Sequence, residues 1–210
     1  MENLLSTTLH TLTHHTRYSG ANVIHLENVA EHSYFVTLLA DLIAHDIEVV
    51  KKKVGLDRLK ILRMALYHDT EEAYTGDLIT PVKNRSPDLK REWDKLSTLM
   101  MHEGLLLDFP GQEHISKYII GIHEEYETYK HSGLENQIVK FADGAQSIVY
   151  LLREIGCGNR HVYPILQNVL KAMSKRFQDH EHLGEKMEQL AKFSGEMVHT
   201  GMPPVSAIQK

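Results

Sequence analysis

The sequence predicts an all-α protein, a single helical domain over residues 1–200, and three observations predict it. Apolar residues recur at three- and four-residue spacing along most of the chain, the period of a helix that buries one face. No β-branched run alternates with polar residues, and no Asn-Gly or Asp-Gly pair joins two candidate strands; Asp143-Gly144 sits inside a helical stripe. The breaks fall at Gly20, Gly55, Gly76, Pro81, Ser86-Pro87, Pro110-Gly111, Ser132-Gly133, Gly156-Cys157-Gly158 and Gly201 to Pro204. They are spaced as loops between helices, not as linkers between domains.

The elements follow in order. Met1 to Ser6 lacks the basic region and long apolar run of a signal peptide. Val29, Phe35-Val36, Leu38-Leu39, Leu42-Ile43 and Ile47 form the first stripe. Its apolar stretch, Val36 to Val50, is interrupted by Asp41, His45, Asp46 and Glu48, so no membrane span is expected. Leu59, Leu62, Leu66 and Tyr67 continue the period up to His68. Ser86-Pro87-Asp88 reads as a helix start with proline in the first turn. Further stripes run through Ile115, Ile119-Ile120 and Ile122, then Ile138, Phe141-Ala142, Ala145, Ile148-Val149 and Leu151-Leu152, then Ile165, Val169-Leu170 and Met173. Each stripe is read as core packing. Residues 201–210 are expected to be a flexible tail.

Composition bounds the function. With 210 residues and 42% hydrophobic content the chain can bury one sizeable core. A net charge of −5 argues against a surface for nucleic-acid polymers, while leaving room for a local positive pocket that takes one nucleotide. The single cysteine, Cys157, excludes an internal disulfide and a cysteine metal cage, fits a reducing cytosol, and reads as a small residue at a helix end. Of 15 histidines, His14-His15, His180 and His182 lie among polar residues and read as surface groups.

The chemistry starts at His68-Asp69, within Leu66-Tyr67-His68-Asp69-Thr70-Glu71-Glu72. Alone the pair means little. With His32 in Glu27-Asn28-Val29-Ala30-Glu31-His32-Ser33 and Asp143 in Val139-Lys140-Phe141-Ala142-Asp143 it becomes a His…His-Asp…Asp set from three segments. Imidazole and carboxylate donors suit Zn, Mn, Co or Fe, and four such ligands leave a six-coordinate ion open to water and a phosphate oxygen. Taken singly, each residue also reads as a satisfied core histidine, a helix-end pair or a buried carboxylate. Burying Asp143 between Phe141 and Ala145 is costly without a cation. Glu72 lies four residues after His68, on the same face if the helix continues, where it would handle protons or hydrogen-bond a ligand. Glu71 is read as solvated. Thr75 to Lys83 reads as a tight turn permitted by Gly76, in which Asp77 could accept from a sugar hydroxyl and Lys83 could meet a phosphate or solvent. Arg17-Tyr18 pairs a phosphate-binding cation with a ring able to stack a base.

At these residues the chain resembles the HD-domain superfamily of metal-dependent phosphohydrolases, and more narrowly the bacterial YfbR-type 5′-deoxynucleotidases. The resemblance runs through the segments quoted above and Thr75-Gly76-Asp77-Leu78-Ile79-Thr80-Pro81-Val82-Lys83, over about the first seventy percent of the chain; after Ser147 it rests on helicity alone. It implies an HD-type helical bundle. It implies one divalent ion (Co, Mn, Zn or Mg) on His32, His68, Asp69 and Asp143, proton transfer by Glu72, phosphate against Arg17 and deoxyribose near Asp77. The family commonly has tryptophan where this chain has Tyr18. The expected reaction is dNMP plus water to deoxynucleoside plus phosphate, by a homo-oligomer in the cytoplasm of a bacterium or a phage-infected host. Three rivals accompany it. Small phage HD proteins of similar pattern remove triphosphate from dATP, and Lys83, Lys90 and Arg91 are the basic candidates for that. A two-metal HD oxygenase or phosphodiesterase would recruit His102, His114 or His123. A non-catalytic helical interaction module with a structural metal would use the acidic stretch Glu124 to Glu127.

Overall fold

The computed structural model describes residues 7–51, 55–83, 85–129 and 131–200. The readings of Met1 to Ser6, of the Gly201 to Pro204 break and of a flexible 201–210 tail lie outside the described residues. A 3-10 turn at Thr8–Thr13 precedes α1 (Val29–Lys51), α2 (Arg58–Tyr67), α3 (Glu72–Thr75), α4 (Thr80–Lys83), α5 (Pro87–Asp108), α6 (Glu113–Tyr129) and α7 (Leu134–Gly156). A second 3-10 turn, Arg160–Val162, leads into α8 (Tyr163–Phe177) and α9 (Gly184–Thr200). Among the described residues the only β pairing is an isolated antiparallel bridge between Thr16 and Asn28, so the all-α expectation holds.

Local chemistry sets the boundaries. Asp57 caps α2 by accepting from the Lys60 amide at 2.9 Å. Ser86 caps α5 by accepting from the Leu89 amide at 3.1 Å, with Pro87 in the first turn as the sequence predicts. Cys157 is exposed and caps the C-terminal end of α7, also as predicted. The sequence reading missed α9 as a separate element. Its buried residues, Met187, Ser194 and Met197, mix polar with apolar and make a weak stripe.

The central element is α7, packed against α1, α2, α8 and α9. Its Ile138, Ile148, Leu151 and Leu152 are fully buried, each contributing about 1.5–3 kcal/mol relative to exposure. A smaller cluster of Met101, Leu105, Phe109 and Ile119 lies between α5 and α6.

One expectation needs correction: not every apolar stripe is core. On α1 the buried row is Val36, Ala40, Ala44 and Ile47, whereas Phe35, Leu38 and Leu42 are 48%, 42% and 54% exposed. Leu59, Leu66 and Val149 are also largely exposed. Helical periodicity cannot tell which of two apolar rows faces inward. Here the small alanines let α1 approach its neighbours, and the bulkier row is left outside.

Candidate metal centre

Three elements converge at the middle of α7. His32 lies in the first turn of α1, His68 caps α2, and Asp143 sits midway along α7. The helix through His68 does not continue to Glu72, as the face argument required. It ends at Tyr67, and a turn leads to α3. The Thr70 hydroxyl donates to the Tyr67 carbonyl at 2.8 Å, competing for an acceptor that a continuing helix would use. The Glu72 amide then donates to the Asp69 carbonyl at 3.1 Å, which still brings Glu72 back beside the pair.

His68 Nδ1 lies 2.9 Å from the Ala65 carbonyl. A carbonyl only accepts, so Nδ1 carries a hydrogen, and once the ring is neutral its lone pair lies on Nε2. His68 Nε2 is 3.1 Å from Asp69 Oδ2. His32 Nε2 is 3.5 Å from Asp69 Oδ2 and 3.3 Å from Asp143 Oδ1. Both Nε2 atoms are buried without a hydrogen-bond partner, despite those carboxylates nearby. An unsatisfied buried donor or acceptor costs about 1–3 kcal/mol, so two of them facing two carboxylates fit a divalent cation. Donor atoms of His32, His68 and Asp69 lie within 4.8 Å of one another, with Asp143 adjoining through His32.

The electrostatics agree with a cation site. Burial opposes ionisation of Asp69, but the neighbouring His68 holds its carboxyl well below the usual range. Burial likewise opposes ionisation of Asp143, and Lys140 with His32 overcomes it. Burial disfavours charge on His68 as well, yet Asp69 and Asp143 raise it to about 9. Burial and the adjacent Arg17 lower His32. Burial, then Asp69, Asp77 and Glu71, push Glu72 up to about 10, and its Oε2 is buried without a partner. Burial also raises the Asp77 carboxyl, while Arg17 pulls it down.

Several readings change. Asp143 does not depend on a metal for its only positive partner, because Lys140 Nζ, one helical turn away, lies 2.6 Å from its Oδ2. Glu71 is not solvated: its Oε2 lies 2.7 Å from Nε2 of buried His123. The segment after Gly76 is not one tight turn. Gly76 adopts φ 72°, residues 76–79 run outside any helix, and Thr80–Lys83 forms the single-turn α4. Arg17 reaches the centre, donating to Glu27 Oε2 at 3.0 Å and Gln146 Oε1 at 3.2 Å. Tyr18 takes φ 58° and stacks on Tyr150, ring centroids 4.8 Å apart, with the Arg17 guanidinium 5.4 Å from its ring. Lys83 lies 3.4 Å from Asp94 and Lys90 3.2 Å from the same carboxylate, while Arg91 pairs with Asp88 and Glu92. The further histidines do not join the centre. His123 is taken by Glu71, His102 lies 3.3 Å from Glu124, and His114 is exposed. Glu124 and Glu125 of the acidic stretch face His102 and Lys60.

Sequence reasoning missed Lys140, Gln146, Glu27 and the Glu71–His123 pair. The Lys140–Asp143 spacing was a usable helical signal. The others are joined only by the fold.

Comparison with known proteins places this geometry. The family described as "5′-deoxynucleotidase YfbR-like" matches residues 5–192. A protein named 5′-deoxynucleotidase from Vibrio parahaemolyticus is 35% identical over 63% of this chain and 65% of its own length. One of the same name from Erwinia tasmaniensis is 32% identical over 73% of this chain and 74% of its own. The chain thus spans just under two thirds of the first relative. A conserved hypothetical protein from Pyrococcus furiosus shares the fold with a TM-score of 0.67 and 25% identity, covering 91% of this chain and 98% of that one. The cyanophage S-2L HD phosphohydrolase DatZ, solved bound to dA and one catalytic Zn2+ ion, superposes with a TM-score of 0.63 at 20% identity, covering 90% of this chain and 95% of that one. The matched family spans most of the chain, including every segment that carries the centre, and so the chain belongs to the YfbR-like family of 5′-deoxynucleotidases.

Proposed function

We propose that this protein hydrolyses 2′-deoxynucleoside 5′-monophosphates to deoxynucleoside and phosphate. The observation that carries the reading is the pair of unpartnered, buried Nε2 atoms of His32 and His68 facing Asp69 and Asp143. These four residues would hold one divalent ion, with Zn, Mn, Co and Mg as candidates. When bound, such an ion polarises phosphate and acidifies water. Arg17 neutralises charge growing on the phosphoryl oxygens. Glu72, holding a proton at neutral pH, donates it to the leaving 5′ oxygen. Asp77 accepts from a deoxyribose hydroxyl. Tyr18, already stacked on Tyr150, forms a wall of the nucleoside pocket and is given no base preference. The names of the relatives support the substrate class.

The triphosphate reading has less support, because Lys83, Lys90 and Arg91 face carboxylates on α5. We read residues 1–200 as one domain, supported by α6 contributing Tyr126 to the larger core and Ile119 to the smaller. We read the protein as a homo-oligomer of the cytoplasm, bacterial or phage-infected. The exposed row Phe35, Leu38 and Leu42 supports self-association, and a lone cysteine suits a reducing compartment. Among the described residues no helix is long and apolar enough to cross a membrane.

Asp69→Ala tests the reading. We expect bound metal, by elemental analysis, and dNMP turnover both to fall by at least about 100-fold, beyond what outer-shell changes typically cost. Full turnover by this variant in metal-free buffer would overturn the assignment.

A further inference from the structure

We propose that Gln146, oriented by Glu27, is a positioning residue that fixes the ring tautomer of His32 and so presents its Nε2 lone pair to the metal. The proposal rests on the metal reading of the centre above. Glu27, Gln146 and His32 are all buried, and their side chains form a chain of contacts. Gln146 Nε2 donates to Glu27 Oε1. Gln146 Oε1 lies 2.7 Å from His32 Nδ1.

The carboxylate at its far end gives this chain a direction. Glu27 is a carboxylate paired with Arg17 at 3.0 Å, and a carboxylate only accepts. The Gln146 amide nitrogen must therefore face Glu27, which turns its oxygen toward His32. An amide oxygen also only accepts, so His32 Nδ1 must carry the hydrogen. The lone pair then lies on Nε2, which points at Asp69 and Asp143. Arg17 touches both members of this bond. Its NH1 also donates to Gln146 Oε1, at 3.2 Å, so that oxygen receives two donors on its two lone pairs. Arg17 NH1 also lies 2.5 Å from His32 Nδ1. A guanidinium only donates, so this contact calls for the Nδ1 lone pair and opposes the Nδ1–H tautomer, and the 15N shifts below decide which neighbour sets the ring.

His68 reaches the same tautomer by a different route, through the Ala65 carbonyl of its own helix. His32 stands at the start of α1, with no such carbonyl used, and borrows its acceptor from α7, 114 residues away. Hydrogen bonds of this kind to a ligating imidazole typically govern metal affinity by about 10- to 100-fold.

The test measures Zn affinity of the folded full chain by competition with a chromophoric chelator, together with 15N shifts of the His32 ring. Gln146→Met removes the acceptor. Glu27→Gln frees the Gln146 amide to flip without touching His32. We expect both to weaken Zn binding by about 10- to 100-fold, and the double variant to bind no more weakly than the weaker single one. Metal-free wild type should show His32 with hydrogen on Nδ1, and both variants should move it toward Nε2. Ser147→Ala, which removes contacts to Arg17 at 3.4 Å and to Tyr18 but none to His32, should leave Zn affinity unchanged. Affinities of both variants within twofold of wild type would overturn the proposal. So would a wild-type Nε2–H tautomer, additive losses in the double variant, or an equal loss in Ser147→Ala. Failure of wild type itself to bind Zn, Mn or Co would instead overturn the metal reading beneath it.

Discussion

His68 carries a proton that a metal bound at its Nε2 would have to displace. Its ring is raised to about 9 from 6.5 by Asp69 and Asp143 against the effect of burial, so it is charged at neutral pH before metal arrives. Below the ordinary value the proton is fully held, and it is lost as pH rises through the raised value. Apparent metal affinity should therefore climb with pH up to about 9, with about one proton released per ion at pH 7. Calorimetry in buffers of different ionisation enthalpy measures that proton directly, and binding without proton release would contradict the assignment of His68 as ligand. At this scale much was legible in sequence. His32, His68, Asp69 and Asp143, which the structure brings together, could be singled out because ligand chemistry restricts residue type and order. Glu71 was misread because its face was inferred from a helix that Thr70 ends. Gln146 and Glu27 carried no signal, since their contact spans 119 residues.

Between residue and fold, the loop from Arg17 to α1 is fastened by a buried carboxylate on α7. Glu154 accepts from the Ile24 amide at 2.6 Å, the His25 amide at 2.8 Å and Asn159 Nδ2 at 2.7 Å, and lies 2.9 Å from His25 Nδ1. Burial pushes its carboxyl up, but these donors win and hold it at about 2, below the ordinary 4.5. The folded value is the lower one, so the contribution is complete above pH 4.5 and fades as pH falls toward 2. Glu154→Gln turns an amide hydrogen toward donors and should cost on the order of 2 kcal/mol at pH 7. The gap should narrow below pH 4.5, as read by urea unfolding at several pH values. Equal stability at pH 7 would show that the latch contributes nothing. The helices it joins were readable because their apolar periods are long. The loop was not, because its order comes from one glutamate far along the chain. The single-turn α3 and α4 were equally hidden, too short to show a period.

For the whole molecule, the all-α class and the convergence of α1, α2 and α7 followed from periodicity and the order of ligands. The division of α1 into two apolar rows did not, because a period reports spacing and not direction. That outer row makes a prediction about assembly. Leu38→Glu with Leu42→Glu should convert an oligomer to a monomer by light scattering on eluting protein, with bound metal retained. Unchanged mass would exclude this face as the contact. The proposed reaction involves the whole site at once. Metal-free protein supplied in turn with Mn, Co, Zn or Mg should be given dNMP, NMP and dNTP, with the products identified. The expected result is orthophosphate and deoxynucleoside from dNMP, only with metal present and much more slowly from NMP. Intact triphosphate released from dNTP, with dNMP left untouched, would contradict it.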